Sequence, residues 1–261
     1  MLATITRGRA EMMNKVPEVT LAFWVIKIMA TTVGETGADF LNSTLGLGLA
    51  GTSIVMGALL LAVLAAQLRS RRYVPSVYWL TVVFVSVVGT LLTDNLTDHL
   101  GVSLFVSTGV FAAALAATFA AWYASERTVS IHTITTTRRE LFYWSAILFT
   151  FALGTAAGDL AAQQLALGYA MSVTVFGAAI ALVALAYFAF GAHPVPAFWT
   201  AYILTRPFGA SCGDLLSQPV AAGGLGLGTM GTSAIFLAII LALVGFLTIA
   251  AKHGADRARA A

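Results

Sequence analysis

Long apolar segments dominate the chain, and they lack the polar-apolar alternation of a half-exposed β-strand. A helix that crosses the hydrocarbon core of a bilayer needs about 20 residues of this kind. Short polar connections separate eight such segments: 20–41, 46–68, 76–97, 102–124, 141–162, 167–190, 196–217 and 229–251. The pattern predicts an all-α, polytopic membrane helix bundle of about eight transmembrane helices.

Composition supports this class and excludes a soluble domain. Hydrophobic residues make up 59% of the chain and charged residues 10%, with a mean hydropathy of +0.89. Soluble domains carry roughly 25% charged residues, so this chain cannot cover a water-facing surface. The single cysteine, Cys212, excludes a disulfide framework, and no Cys/His spacing resembles a zinc site. The net charge of +3 does not indicate nucleic-acid binding, because nearly all of the basic residues lie in short loops and at the termini.

The basic residues also predict the orientation. Lys and Arg occur in the N-terminal tail, the 69–75 loop, the 125–140 loop and the C-terminus, whereas the connections near 42–45, 98–101, 163–166 and 218–228 contain none. The positive-inside rule then places both termini in the cytoplasm. We predict a cytoplasmic tail at 1–19, a single transmembrane domain at 20–251 and a second cytoplasmic tail at 252–261.

A three-residue motif recurs four times with constant spacing. In each copy a glycine follows a tryptophan by 10 residues, and an aspartate follows that glycine by 5: Trp24/Gly34/Asp39, Trp79/Gly89/Asp94, Trp144/Gly154/Asp159 and Trp199/Gly209/Asp214. An aromatic residue precedes each of these four tryptophans, and LGLGLAGTS at 45–53 returns as LGLGTMGTS at 225–233. The repetition predicts four helical hairpins, at about 20–70, 75–125, 140–190 and 195–251, with pseudo-symmetry about the membrane normal.

The motif predicts acidic side chains inside the membrane. The glycine lies about 15 Å past the tryptophan, near the midplane, and the aspartate roughly 7 Å further. Four aspartates facing lipid would cost on the order of 10 kcal/mol, so they should face protein, water or a cation. We predict an ion- or proton-binding site, with hard oxygen ligands suited to Mg²⁺, Mn²⁺, Ca²⁺, Na⁺ or H⁺. Its carboxylates, which are also the candidate metal ligands, are Glu35, Asp39, Asp94, Asp159 and Asp214, assisted by Thr90, Thr155 and Ser211.

Two cationic residues fall within the predicted spans. Arg206 precedes Gly209 by three residues and Glu35 follows Gly34 by one, so their levels differ by about 6 Å, which an arginine side chain can bridge. We predict an Arg206–Glu35 ion pair that tunes the charge of the site. Lys27 lies nearer the cytoplasmic end, and we predict that it extends to the interface. The tryptophans are expected to be interface anchors and the motif glycines to permit close helix packing.

Other sequence patterns do not indicate catalysis. GASCG at 209–213 matches the nucleophile-elbow pattern, but the other repeats read GETGA, GTLLT and GTAAG at this place, and the strand–turn–helix context is missing. The four histidines lie in loops or at the C-terminus, so none is a predicted in-membrane base. The glycine run at 223–228 lacks the Gly-Lys-Ser/Thr of a phosphate-binding loop.

Four segments resemble a known family: TTVGETGADFLN, SVVGTLLTDNLTD, FALGTAAGDLAAQQLALGY and ILTRPFGASCGDLLSQP. They are similar to the bacterial "membrane-anchored protein" family, which is built of tandem repeats of unknown function. The resemblance covers roughly residues 13–251. It implies a multi-pass protein of the bacterial inner membrane and implies no particular activity.

The leading hypothesis is a proton-coupled secondary transporter or exporter of a small cation, divalent ions included, that uses the central acidic site. No ATP-binding motif is present to supply another driving force. The alternative is a non-transporting membrane scaffold or sensor whose polar residues hold the helices together. An intramembrane enzyme ranks third, and we predict that the chain is not an enzyme. The expected partners are the lipid bilayer and a small cation or proton, with no nucleic acid, and no cofactor is expected beyond a bound cation.

Overall fold

Eight long α-helices form the fold. The computed structural model describes residues 14–260, with side chains for residues 14–250, and this part of the chain contains no β-strand. The prediction of an all-α fold is confirmed, and the helix ends fall within a few residues of the predicted spans, except that α8 continues through the predicted C-terminal tail. The helices are α1 Leu21–Asp39, α2 Gly48–Arg69, α3 Pro75–Asp94, α4 Leu104–Glu126, α5 Thr137–Asp159, α6 Gly168–Phe190, α7 Pro194–Ser217 and α8 Gly228–Ala260.

Local sequence explains several of the helix ends. The side chains of Thr20, Ser103 and Thr136 accept hydrogen bonds from backbone N–H groups three residues later, at the starts of α1, α4 and α5. Proline occupies the first turn of α3 and of α7, where its missing N–H costs nothing. The duplicated LGLG segments have the same backbone shape, since both glycines of each copy take a φ between +67° and +74°.

The four motif helices α1, α3, α5 and α7 form a closed inner ring. Each packs against the next one in the series, and α7 returns to α1. The outer helices are offset by one repeat: α2 packs mainly on α3, α4 on α5, α6 on α7, and α8 on α1. The outer helix of each repeat therefore covers the motif helix of the next repeat, and the repeats depend on one another for their packing.

The motif glycines form the contacts of the inner ring. Each packs against the residue that precedes the glycine of the next motif helix by three positions: Gly34 on Ser86, Gly89 on Phe151, Gly154 on Arg206 and Gly209 on Thr31. A Cβ at any of the four glycines would overlap its neighbour. The predicted packing role of these glycines is confirmed, and the succession shows the four-fold arrangement of the repeats.

Six of the eight helices are long and apolar enough to cross a membrane by themselves. The other two, α1 and α7, are the motif helices that carry the cationic residues Lys27 and Arg206 together with acidic residues. Both lie in the inner ring, with helices of the other repeats around them. Their charged side chains are thus accommodated by protein contacts, and the chain is a multi-pass membrane protein.

The N-terminal segment also packs against the bundle. Val16 is only 5% exposed and belongs to the main hydrophobic core, and the Lys15 backbone N–H donates to the Ile134 carbonyl at 3.3 Å. The predicted cytoplasmic tail at 1–19 is therefore not free of the bundle over residues 14–16. Its residues 1–13 lie outside the described part of the chain.

Candidate functional site

The repeat places equivalent residues of the four motif helices at the same level of the ring. One position after the motif glycine the residues are Glu35, Thr90, Thr155 and Ala210. Five positions after it are the four aspartates, about 6 Å further along the axis. We call this end of the bundle the acidic end, and the opposite end, with the 69–75 and 125–140 loops, the basic end.

A cavity of about 230 Å³ lies at the acidic end. All five carboxylates predicted from the sequence line it: Glu35, Asp39, Asp94, Asp159 and Asp214. Asp98, Gln163 and Gln218, which lie one helical turn beyond the aspartates, line it as well. Six carboxyl groups thus face one space, and none of the Lys and Arg side chains that the structure describes lines it.

Four further residues line the cavity. Asn42 and Thr97 follow the aspartates by three residues, whereas Leu104 and Tyr169 come from the starts of outer helices α4 and α6. The prediction did not include the first two, although a residue three positions further on lies on the same face of an α-helix as the aspartate. Leu104 and Tyr169 depend on which outer helix packs beside which motif helix, and no local sequence pattern indicates that pairing.

Three of the four aspartates stand immediately before a change of helical pitch. A five-residue π-helical turn begins directly after Asp39, Asp94 and Asp159, at Phe40–Thr44, Asn95–His99 and Leu160–Gln164. Single π-helical turns inside helices are frequent at functional sites. In the fourth repeat α7 continues without such a turn and carries Pro207 instead.

Arg206 and Glu35 form the predicted ion pair. The Nη2 of Arg206 lies 3.0 Å from Oε2 of Glu35, and the two side chains are 0% and 8% exposed. The same Nη2 donates to the Thr155 hydroxyl at 2.6 Å and also to the Thr90 hydroxyl. One guanidinium group therefore joins α1, α3, α5 and α7 at the inner end of the cavity.

The three hydroxyl residues predicted to assist ion binding have different positions. Thr90 and Thr155 bind Arg206 rather than line the cavity. Ser211 is buried, and its hydroxyl has no hydrogen-bond partner within the described residues. Counting positions from the motif glycine explains the difference, because Ala210, not Ser211, is the equivalent of Glu35, Thr90 and Thr155.

Lys27 does not extend to the interface as predicted. Its side chain is fully buried on the bundle axis, and Nζ lies 4.4 Å from the ring centroids of both Phe151 and Tyr202. Cation–π contacts to two rings replace the contact with lipid headgroups or water that the prediction assumed. The prediction was wrong because it treated Lys27 as facing lipid, whereas its helix face is directed into the ring.

Aromatic side chains close the axis toward the basic end. Tyr78 and Tyr143, which precede the motif tryptophans, are fully buried, and their hydroxyl oxygens lie 2.5 Å apart. Phe23 packs on Trp79 with ring centroids 5.6 Å apart. The prediction of interface anchors was wrong for three tryptophans, which are at most 5% exposed within the bundle: Trp79, Trp144 and Trp199.

The sequence comparisons agree with the four-fold arrangement. A family model described as "Repeat of Unknown Function (DUF347)" matches the chain four times, at residues 22–73, 77–128, 142–192 and 197–253. The chain belongs to the DUF347 family. A search of curated proteins and a search of solved structures each returned no match.

The boundaries of the DUF347 repeats coincide with the hairpins, so the cavity is built from all four repeats. Each repeat supplies one aspartate from its first helix. The repeats differ in the two layers next to the motif glycines. Only the first DUF347 repeat has a carboxylate one position after its glycine, and only the fourth has an arginine three positions before its glycine. These charged residues thus break the symmetry that the family repeat imposes on the backbone.

The acids of the DUF347 repeats surround the cavity without converging on one point. Among the residues that the structure describes, no three His, Cys, Asp or Glu side chains are placed to hold a metal ion directly. Asp159 accepts a hydrogen bond from Gln163 Nε2 at 3.5 Å, so amide donors share the site with the carboxylates. The geometry is that of a water-accessible acidic chamber.

Proposed function

We propose that this protein is a secondary transporter of a small cation in the bacterial inner membrane and that protons move in exchange. The observation that carries the proposal is the meeting of carboxylates from four equivalent helices in one cavity. Acidic residues within membrane helices mark ion and proton pathways by default. Here the four motif aspartates share one level, and together with Glu35 and Asp98 they line one space at the end of the bundle away from the basic loops.

The cavity suits an ion that retains part of its hydration shell. Its volume of about 230 Å³ holds several water molecules, each of which occupies roughly 30 Å³ in the liquid. Six carboxyl groups in this space need accompanying protons or cations, because like charges at such proximity repel strongly. Carboxylate, amide and hydroxyl oxygens are hard ligands, which favours Mg²⁺, Mn²⁺, Ca²⁺ or Na⁺ over soft metals.

The two ends of the bundle axis differ in polarity, as expected for a transporter. The acidic end holds a polar cavity, whereas buried aromatic side chains fill the axis at the basic end. Under the positive-inside rule the acidic end faces away from the cytoplasm and both termini lie inside. Arg206, Glu35, Thr90 and Thr155 form what we call the Arg206 cluster. Exchange then requires this cluster and the buried aromatic residues to rearrange, so that the cavity becomes accessible from the cytoplasm.

Flux measurements in proteoliposomes test the proposal. Mn²⁺, Mg²⁺, Ca²⁺ and Na⁺ are each supplied on one side of the membrane, and ion and proton movements are recorded with indicator dyes. Asp94→Asn and Asp159→Asn should each abolish flux of the transported ion while the protein stays folded. Glu18→Gln is the matched control, because Glu18 is an exposed acid at the basic end. Wild-type rates in both aspartate variants would refute the proposal.

One observation favours the alternative of a non-transporting scaffold or sensor. The Arg206 cluster joins all four motif helices through a charged and fully buried side chain, which is the arrangement expected of polar residues that hold a bundle together. This alternative does not account for six carboxyl groups around a cavity that no lysine or arginine lines. It predicts that none of the four ions crosses the membrane and that none alters the thermal stability of the protein.

A further inference from the structure

Lys27 is a buried cationic residue that does not line the acidic cavity. It lies on α1 seven residues before Gly34, or about 10 Å from the glycine layer and about 18 Å from Asp39 toward the basic end. Its side chain is fully buried, and Nζ has no hydrogen-bond partner within the described residues. A buried ammonium group is normally paired, so the lack of a partner needs a physical explanation.

The rings beside Lys27 offset only part of the cost of a buried charge. Nζ lies 4.4 Å from the centroids of Phe151 and Tyr202, and such cation–π contacts are weaker than a direct ion pair. The guanidinium carbon of Arg206 lies 5.5 Å from the centroid of the same Phe151 ring, so a second cation is close by. The two rings therefore stabilise the protonated form of Lys27 while Arg206 disfavours it.

Among the residues that the structure describes, the charged groups around Lys27 leave it without a counter-ion. From α7, Tyr202 contacts its Nζ and Arg206 lies over the same Phe151 ring, and the tyrosines of α3 and α5 near this level are Tyr78 and Tyr143. The α8 helix presents no charged residue before position 252. Glu35 is the nearest acid on α1, and it is already paired with Arg206 at 3.0 Å. Neither protonation state of Lys27 is thus held by a dedicated partner.

The position of Lys27 connects the two halves of the axis. On its acidic side are the Arg206–Glu35 pair and the cavity, and on its basic side are the hydroxyl groups of Tyr78 and Tyr143, 2.5 Å apart. Protonatable groups therefore continue along the axis beyond the point where the cavity ends. A cation bound in the cavity would compete with Arg206 for the Glu35 carboxylate. The charge of Arg206 would then be less neutralised, and its repulsion of a protonated Lys27 would increase.

We propose that Lys27 carries the exchanged proton, which its ammonium group releases when a cation occupies the acidic cavity and which its amine takes up again when the cation leaves. In release an N–H bond of the ammonium breaks, the electron pair stays on Nζ, and the proton passes to water admitted from the basic end. This inference rests on the proposed function, since it assigns the coupling proton of the same transport cycle. Occupation of the cavity and protonation of Lys27 exclude one another by electrostatic repulsion through Arg206.

Variants at one ring layer test the coupling in proteoliposomes that contain a pH-sensitive dye. Lys27→Met removes the proton site, and Lys27→Arg retains a charge that cannot be released. Ile147→Met is the matched control, because Ile147 is the equivalent buried residue of the third repeat. In both Lys27 variants the ratio of protons to cations moved should fall tenfold or more, with cation flux down its own gradient retained by Lys27→Met. The control should keep the wild-type ratio, and a wild-type ratio in either Lys27 variant would overturn the inference.

A spectroscopic measurement on the wild-type protein separates this inference from the transport proposal. The chain has three lysines, Lys15, Lys27 and Lys252, so ¹³Cε-lysine labelling gives three resonances, and Lys27→Arg identifies one of them. We expect the Lys27 resonance to move between the ammonium and amine positions over a pH series in which the protein stays folded. Addition of a diamagnetic cation, Mg²⁺, Ca²⁺ or Na⁺, at constant pH should shift it toward the amine position. A resonance that remains at one position throughout refutes the proton-carrier role even if cations are transported. A responsive resonance in a protein without cation flux refutes transport, and with it the exchange of this proton, but shows that cavity occupation and Lys27 protonation are linked.

Discussion

Gly209 of α7 packs directly against Thr31 of α1, and this contact between the last and first repeats closes the inner ring. The Thr31 hydroxyl donates to the Ile28 carbonyl of its own helix at 2.5 Å and lies 3.4 Å from the Thr205 carbonyl of α7. The three other ring contacts use the same pair of positions, so one packing rule is applied four times. Because the ring is closed, each motif helix has two neighbours, and the residues that face the axis are shielded from lipid.

Enlarging a glycine of the ring should destabilise the protein. Gly209→Ala places a methyl group into Thr31, and overpacking of this kind typically costs about 1–3 kcal/mol. Gly57→Ala is the control, since no atom lies within 4 Å of a Cβ at that helical position of α2. Thermal unfolding in detergent should show a lower melting temperature for Gly209→Ala only. Equal melting temperatures for the two variants would show that the ring contact is not close in solution.

Removal of the Arg206 side chain should leave Glu35 as an unpaired charge. Breaking a buried ion pair by deleting one partner costs about 3–5 kcal/mol, so Arg206→Met should be strongly destabilised in denaturant titrations. The double variant Arg206→Met/Glu35→Gln should regain much of the loss, because the remaining carboxylate is neutralised. A double-mutant cycle with Glu35→Gln alone measures the coupling. Additive effects of the two substitutions would contradict the ion pair.

Cations should raise the thermal stability of the protein if the acidic cavity binds them. A ligand that binds only the folded state at 100 times its Kd adds about 2.7 kcal/mol, which raises the melting temperature by several degrees. We expect at least one of Mn²⁺, Mg²⁺, Ca²⁺ and Na⁺ to do so for the wild-type protein. Asp159→Asn should lose the shift, and Glu18→Gln should retain it. Identical melting curves with and without every one of these ions would favour the scaffold alternative.

Those features of the fold that follow from spacing could be predicted from the sequence. The constant interval from tryptophan to glycine to aspartate requires equivalent helices, and the cost of burying acids requires that they face inward. The same reasoning predicted the Arg206–Glu35 pair, because the rise per residue sets the level of each side chain. The structure brings all five predicted carboxylates to one cavity.

The predictions that were wrong depended on which side of a helix faces the interior of the bundle. Lys27 and three motif tryptophans were assigned to the membrane interface by residue type, yet all four are buried. Lys27 faces the interior of the ring, and the tryptophans pack against other aromatic side chains within the bundle. Residue type alone does not distinguish an interface from a polar or aromatic layer inside a bundle. Ser211 was chosen for its hydroxyl, although comparison of the four repeats assigns Ala210 to the equivalent position. Outer-helix residues such as Tyr169 depend on tertiary pairing, which no local pattern contains.

A buried ion pair between Lys15 and Glu140 should stabilise the basic end of the bundle. Nζ of Lys15 lies 2.5 Å from Oε2 of Glu140, each side chain is 1% exposed, and Nζ also donates to the Leu68 carbonyl at 3.0 Å. Lys15→Met should therefore cost about 3–5 kcal/mol of unfolding free energy. Arg138→Gln, which breaks an ion pair to Glu126 at 3.5 Å from a largely exposed side chain, should cost about 0–1 kcal/mol.

Loss of that ion pair should also release the N-terminal segment from the bundle, because Lys15 connects it to the end of α2 and to α5. Glu18 is exposed in this segment, so a glutamate-specific protease should cleave there faster in Lys15→Met than in the wild-type protein. Lys15→Met/Glu140→Gln should recover unfolding free energy but not protection at Glu18, since it removes the unpaired charge without restoring the connection. If cleavage at Glu18 were unchanged in both variants, the buried contacts of Val16 rather than the ion pair would hold the segment in place.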